Sequence, residues 1–104
     1  MRRGEVWWAE QPQPIGRRPV LLLSRDEAYE VRNAVTVAQI TTTIRNIPVE
    51  VELDEKDGLP QKCVINLDTI TTIRKAILTK RICSVRADKI EQIDKAIKFA
   101  LALE

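Results

Sequence analysis

Short apolar runs separated by turn-forming clusters make up most of the chain, and their period switches once, near the C-terminus. Residues 5–9 (EVWWA) read as a first strand, and the prolines and glycine of residues 11–16 predict a loop after it. Residues 20–24 form a continuous aliphatic run, the pattern of a strand covered on both faces. Residues 26–32 are polar and predict a short connecting turn or helix that Asn33 ends. Residues 34–41 are rich in β-branched side chains, and residues 47–53 alternate apolar with acidic, the period of a strand with one wet face. Asp57-Gly58 predicts a turn, and residues 63–73 and 77–85 two further strands. From Ala87 onward Ile90, Ile93, Ile97, Ala100 and Leu101 recur at helical spacing, flanked by Lys89, Glu91, Lys95 and Lys98. Six strands and one amphipathic helix, whose stripe needs a surface to cover, predict a mainly β fold: a small barrel with a C-terminal α-helix.

A chain of 104 residues is expected to form a single domain over residues 1–104. With 44% apolar and 31% charged residues, disorder is excluded. The net charge of +2 does not by itself argue for a nucleic-acid partner, but the charge is unevenly placed. Residues 50–57 hold five acids against one lysine, and residues 62–89 hold seven Lys or Arg against two acids. That distribution leaves open either a basic surface or ordinary solvated faces. Cys63 and Cys83 form no CxxC pair, and there is no histidine to complete a metal site, so no metal or other cofactor is expected and both thiols read as small hydrophobes. No signal-peptide pattern and no apolar run of membrane-spanning length is visible, so the expected location is the cytoplasm.

The absence of histidine also means that any catalysis must proceed without imidazole. Arg17-Arg18-Pro19 places two permanent cations where the loop becomes a strand, and the proline pushes Arg18 toward extended geometry. A guanidinium aimed by stiff backbone suits a phosphate, which it can engage through two N–H donors. The alternative is a structural ion pair, with Glu10 as a candidate partner. Thr41 ends a strand where its hydroxyl could donate to a phosphoryl oxygen, although threonine is also a common strand residue without a task. Asn66 could read a base edge or face a turn, and Asp68 could be an outward residue or a placed acid. Thr69 stands beside them. Arg17, Arg74, Lys80 and Arg81 are further candidates for contacts to a nucleic-acid backbone. Trp7 and Trp8 are adjacent and must face opposite ways, one into a core and the other free to stack on a base or a partner protein.

These segments together resemble the MazF/PemK family of toxin endoribonucleases. The resemblance rests on the opening Arg3-Gly4-Glu5-Val6-Trp7-Trp8, the strand entry Gly16-Arg17-Arg18-Pro19-Val20, the step Val37-Ala38-Gln39-Ile40-Thr41, Asp57-Gly58-Leu59-Pro60, Val64-Ile65-Asn66-Leu67-Asp68 and the closing helix, in order over nearly the whole chain. It implies an SH3-like barrel of the CcdB/MazF type, a homodimer, a cognate antitoxin and metal-independent cleavage of single-stranded RNA. In the family's pattern the arginine before proline and the threonine of the Ile-Thr step are catalytic, and these match Arg18 and Thr41. The loop before Arg17 is shorter than usual and lacks the common Ser-Glu-Gln run, and Thr69 and Thr71 stand where Gln and Arg are frequent. These departures bear on the target sequence and leave the Arg18 and Thr41 pair intact. A carboxylate such as Glu10 or Asp68, or water, would have to accept the nucleophile's proton. Two other functions fit parts of the same pattern: a CcdB-like gyrase poison, and a nucleic-acid-binding barrel without catalysis.

Overall fold

Val20, Leu21 and Leu22 are all fully buried, yet they belong to two different cores. Successive side chains on a strand point to opposite faces, so this run is apolar without interruption because its sheet is covered on both sides. A computed structural model describes residues 1–104. It comprises β1 (Glu5–Glu10), β2 (Arg17–Leu22), α1 (Ala28–Val31), β3 (Ala34–Thr41), β4 (Glu50–Leu53), β5 (Cys63–Arg74), β6 (Leu78–Ser84) and α2 (Ala87–Ala100). The six strands form one antiparallel sheet in the order β4-β5-β3-β2-β1-β6. The expected small β fold with a C-terminal helix is therefore present as a curled six-stranded sheet with β4 and β6 at its edges. No helix is long and apolar enough to cross a membrane.

The larger core lies under α2 and includes Val6, Leu21, Ile40, Ile65 and Leu67, closed from above by Ile93 and Ala96. Burial of each large aliphatic side chain contributes about 1.5–3 kcal/mol, so this layer holds the helix to the sheet. Gly4 has φ of +92°, and a Cβ there would come within 2.9 Å of Ile90 Cδ1, so glycine lets the first turn pass beneath α2. Leu101 was expected to extend the helical stripe. It instead follows the last turn and is 56% exposed. On the opposite face a smaller core gathers Val20, Leu22, Val35, Val37 and Leu78 around Tyr29 of α1.

Two strand boundaries differ from the sequence-based expectation. β2 starts at Arg17, ahead of the aliphatic run, so the arginines at the junction of loop and strand are already part of the ladder with β1, where Arg17 pairs with Glu10 and Arg18 with Ala9. β4 is confined to Glu50–Leu53 because residues 47–49 are used in a turn. The Glu50 carboxylate accepts the Arg45 and Asn46 backbone N–H groups, both at 2.9 Å, and fixes the path of the preceding loop. β5 carries a pronounced irregularity: Ala38 pairs with Ile70, but the next residue of β3, Gln39, pairs with Asn66. Leu67, Asp68 and Thr69 are thereby left without partners on β3, and the strand bends.

Glu5 is 8% exposed, and its carboxylate accepts hydrogen bonds from the Trp7 indole N–H at 2.9 Å and the Arg2 backbone N–H at 3.1 Å, with the Arg81 guanidinium at 3.4 Å. Burial alone would raise its pKa, but these donors outweigh burial and hold it below the ordinary 4.5. A carboxyl whose folded pKa is depressed adds stability above its unfolded pKa, and that stability is lost as pH falls through the folded value. Glu5→Gln should therefore destabilise the protein at pH 7 and progressively less below pH ~4.5. Urea denaturation of both proteins from pH 7 to pH 3 checks this, and a constant difference across the range would contradict it.

Candidate active site

Because side chains alternate along β2, Arg17 shares a face with Pro19 and Leu21, whereas Arg18 shares the opposite face with Val20 and Leu22. Two consecutive arginines thus leave the same strand end in opposite directions. Glu10 stands directly across from Arg17 in the β1–β2 register, and its Oε1 accepts from Arg17 Nε at 2.9 Å. The Arg17 guanidinium also lies 4.1 Å above the ring of Trp8. Arg18 stands across from Ala9, which offers no acceptor, and its side chain enters no ion pair and no hydrogen bond within the chain. The ion pair considered for Arg18 and Glu10 is therefore made by Arg17.

Thr41 closes β3, and its Oγ1 accepts the Thr43 backbone N–H at 3.2 Å. That bond occupies one side of the oxygen and leaves the hydroxyl proton available to a ligand. Two clefts open at this end of the sheet. The larger, of about 350 Å³, is bounded by Trp8, Arg17, Pro19, Ile40, Thr42, Thr43, Cys63 and the segment Leu59-Pro60-Gln61. The smaller, of about 210 Å³, is bounded by Ile15, Gln39, Arg45, Asn66 and Thr69, where the bend of β5 parts it from β3. Arg18 and Thr41 are the only residues that line both. They form the ridge between them.

Neighbouring groups hold these walls in place. Gln39 Nε2 donates to Gln11 Oε1 at 2.6 Å and Gln11 Nε2 donates back to Gln39 Oε1 at 3.1 Å, a buried reciprocal pair that ties the β1–β2 loop to β3 beside Arg18. The 3₁₀ turn Glu55–Asp57 leads into the Leu59–Gln61 wall and is anchored by Arg86, which donates to Asp57 Oδ1 at 2.9 Å. Gly58, at φ +101°, packs against Cys83, where a Cβ would come within 3.1 Å of the Cys83 Cβ.

The electrostatics of the clefts are one-sided. Arg17, Arg18 and Arg45 line them and no carboxylate does, which suits an extended anion. Cys63 reaches the wall of the larger cleft, but burial above all, with the nearby Asp57 carboxylate, pushes its thiol up to about 11, so it stays protonated at neutral pH. Of the residues singled out in the sequence, Arg17, Asn66 and Thr69 join Arg18 and Thr41. Asn66 turns its carbonyl back to accept the Asp68 N–H at 2.8 Å, which leaves both N–H donors of its NH₂ unengaged within the chain. Asp68 is exposed beside the smaller cleft without lining it. Arg81 is drawn to Glu5, Lys80 pairs across from Trp8 on the outer strand β6, and Arg74 lies at the far end of β5 over a separate groove with Gln11 and Ile77. None of these three lines either cleft. Glu10 does not either. Arg45 and Gln61 were not singled out from the sequence, because loops deliver them; the one available signal for Arg45 was its position four residues past Thr41.

Comparison with known proteins identifies relatives of the same sequence family and fold. Residues 2–101 match the family described as the PemK-like, MazF-like toxin of type II toxin-antitoxin systems. The chain is 39% identical to a probable endoribonuclease, MazF5, of Mycobacterium tuberculosis, over 95% of its own length and 91% of the relative's. Its backbone superposes on the Mycobacterium tuberculosis toxin MazF-mt6 with a TM-score of 0.89 at 33% identity, covering 96% of this chain and 98% of that one. A mycobacterial endoribonuclease solved in complex with its cognate antitoxin superposes with a TM-score of 0.87 at 28% identity, covering 100% and 97%. A family match over almost every residue, with the same sheet and helix, makes this chain a member of the MazF/PemK toxin family of type II toxin-antitoxin systems.

Proposed function

We propose that residues 1–104 act as one toxin domain, an endoribonuclease that cuts single-stranded RNA in the cytoplasm at short sequences without a metal. The observation that carries this reading is the ridge: Arg18 and Thr41 alone border both clefts, and Arg18 has no internal partner to neutralise it. A strand laid from one cleft to the other presents one phosphate to both groups. The 2′-hydroxyl of the preceding ribose attacks that phosphorus, the bond to the 5′-oxygen of the next nucleotide breaks, and the products end in a 2′,3′-cyclic phosphate and a 5′-hydroxyl. Arg18 bonds the phosphoryl oxygens as they gain negative charge, and the Thr41 hydroxyl donates to one of them. Glu10 and Asp68 stand off the cleft walls, so water takes the 2′ proton and supplies the one the leaving oxygen needs. The metal-free route is favoured by walls that hold neither a carboxylate nor an imidazole. Family membership supports a homodimer and a cognate antitoxin partner.

Arg18→Ala should fold normally and lose about 10²–10³-fold or more in kcat, the usual loss when one preset donor to a developing oxyanion is removed. Arg18→Lys should recover little, because an ammonium does not reproduce the planar two-donor contact. Cleavage of a mixed RNA pool and of the same sequences as DNA, followed by analysis of the product ends, checks both statements. A folded Arg18→Ala protein with full activity, or equal cutting of DNA, would refute the assignment.

The same basic walls are proposed to receive the antitoxin, as an extended acidic segment that takes the place of RNA. Anisotropy of a labelled, uncleavable oligonucleotide bound to the toxin should fall to the free value as antitoxin is added. Unchanged RNA affinity in the presence of bound antitoxin would contradict a shared groove.

A further inference from the structure

Trp7 and Trp8 have different surroundings. The Trp7 indole N–H donates to Glu5 and its ring packs against the smaller core. The Trp8 indole N–H has no partner within the chain, and its half-buried ring forms part of the larger cleft beside Arg18 and Thr41. Pro19 lies directly across from it in the β1–β2 register and lines the same wall. Arg17 lies over the ring, with the guanidinium 4.1 Å from the ring centre.

We propose that Trp8 is the stacking platform for a nucleobase next to the cleaved linkage, and that the base takes the place Arg17 holds in the free protein. The inference rests on the nuclease reading above. It follows from what competes for the ring. An exposed guanidinium over an indole is a weak contact, and Arg17 stays bonded to Glu10 when it swings off the ring, so little is lost by its leaving. Stacking of a base on an aromatic ring is stronger and tolerates any base, because every base has a π face. Arg17 thus keeps the apolar face covered in the free protein. Once displaced it remains beside the strand's phosphates, where its charge is favourable.

The test uses a mixed-sequence 2′-O-methyl oligonucleotide, which lacks the attacking hydroxyl, and the protein carrying Trp7→Phe, in which Trp8 is the only tryptophan. Saturating oligonucleotide should quench its emission, and Arg17→Ala added to this background should leave the quenching at saturation undiminished. In Trp8→Phe, the emission of Trp7 should not respond. With cleavable RNA, Trp8→Ala should raise KM about 10-fold with kcat nearly unchanged, and Trp8→Phe should recover most of the loss. Trp8 emission that stays constant while anisotropy reports saturation would overturn the platform, as would a wild-type KM in Trp8→Ala or no binding of the oligonucleotide at all. The two readings fail separately: intact RNA cleavage with unresponsive Trp8 sinks only the platform, and quenching without any cleavage by the wild-type protein supports the platform and sinks the nuclease.

Discussion

The pairing of β1 with β2 is the constraint on which the site depends. Placing Glu10 across from Arg17 and Ala9 across from Arg18 gives two neighbouring arginines opposite fates. One is neutralised by a carboxylate and laid over an indole. The other emerges on the opposite face with its charge uncompensated and no competing acceptor opposite. A shift of the register by one residue would exchange these roles, and the two buried cores on either side of β2 forbid that shift, because Leu21 would trade places with Val20 and Leu22. The apolar packing of the strand's far end therefore holds the charge pattern at its near end.

The second requirement is space on both sides of that strand end. The bend in β5 parts Asn66 and Thr69 from β3 and forms the smaller cleft, while the turn held by Arg86 and Asp57 brings Leu59, Pro60 and Gln61 over the larger one. The buried amide pair of Gln11 and Gln39 fixes the loop between them. Arginines line these walls and no carboxylate or imidazole does, so the clefts suit an anion better than they suit proton transfer. In the proposed mechanism, catalysis therefore rests on preset donors and on the geometry they impose on the substrate.

Much of this was legible in the sequence, for physical reasons. The six strands and the helix could be read because their cores impose clear periods, and the unbroken run at residues 20–22 reported a sheet covered twice. Arg18 and Thr41 stood out through their places at strand ends and through the family pattern. The partner of Glu10 could not be read, since it depends on the register across a loop of unknown shape. Nor could the dispersal of the basic residues at 74, 80 and 81: proximity in sequence says little when alternation turns Arg81 toward Glu5 and the length of β5 carries Arg74 to its last position, over a separate groove with Glu10 and Gln11. Arg45 and Gln61 sit in irregular segments whose course is set by bonds to Glu50 and Asp57, which no periodicity reveals.

The central claim is that Arg18, and not its neighbour, meets the phosphate at the ridge. The most direct measurement is the ¹⁵N–¹H spectrum of the arginine side chains during titration with a 2′-O-methyl oligonucleotide. A large downfield movement of the Arg18 Nε–H signal, with slowed exchange as the site fills, is the predicted result. An Arg18 signal that stays in place while binding runs to saturation would contradict the account.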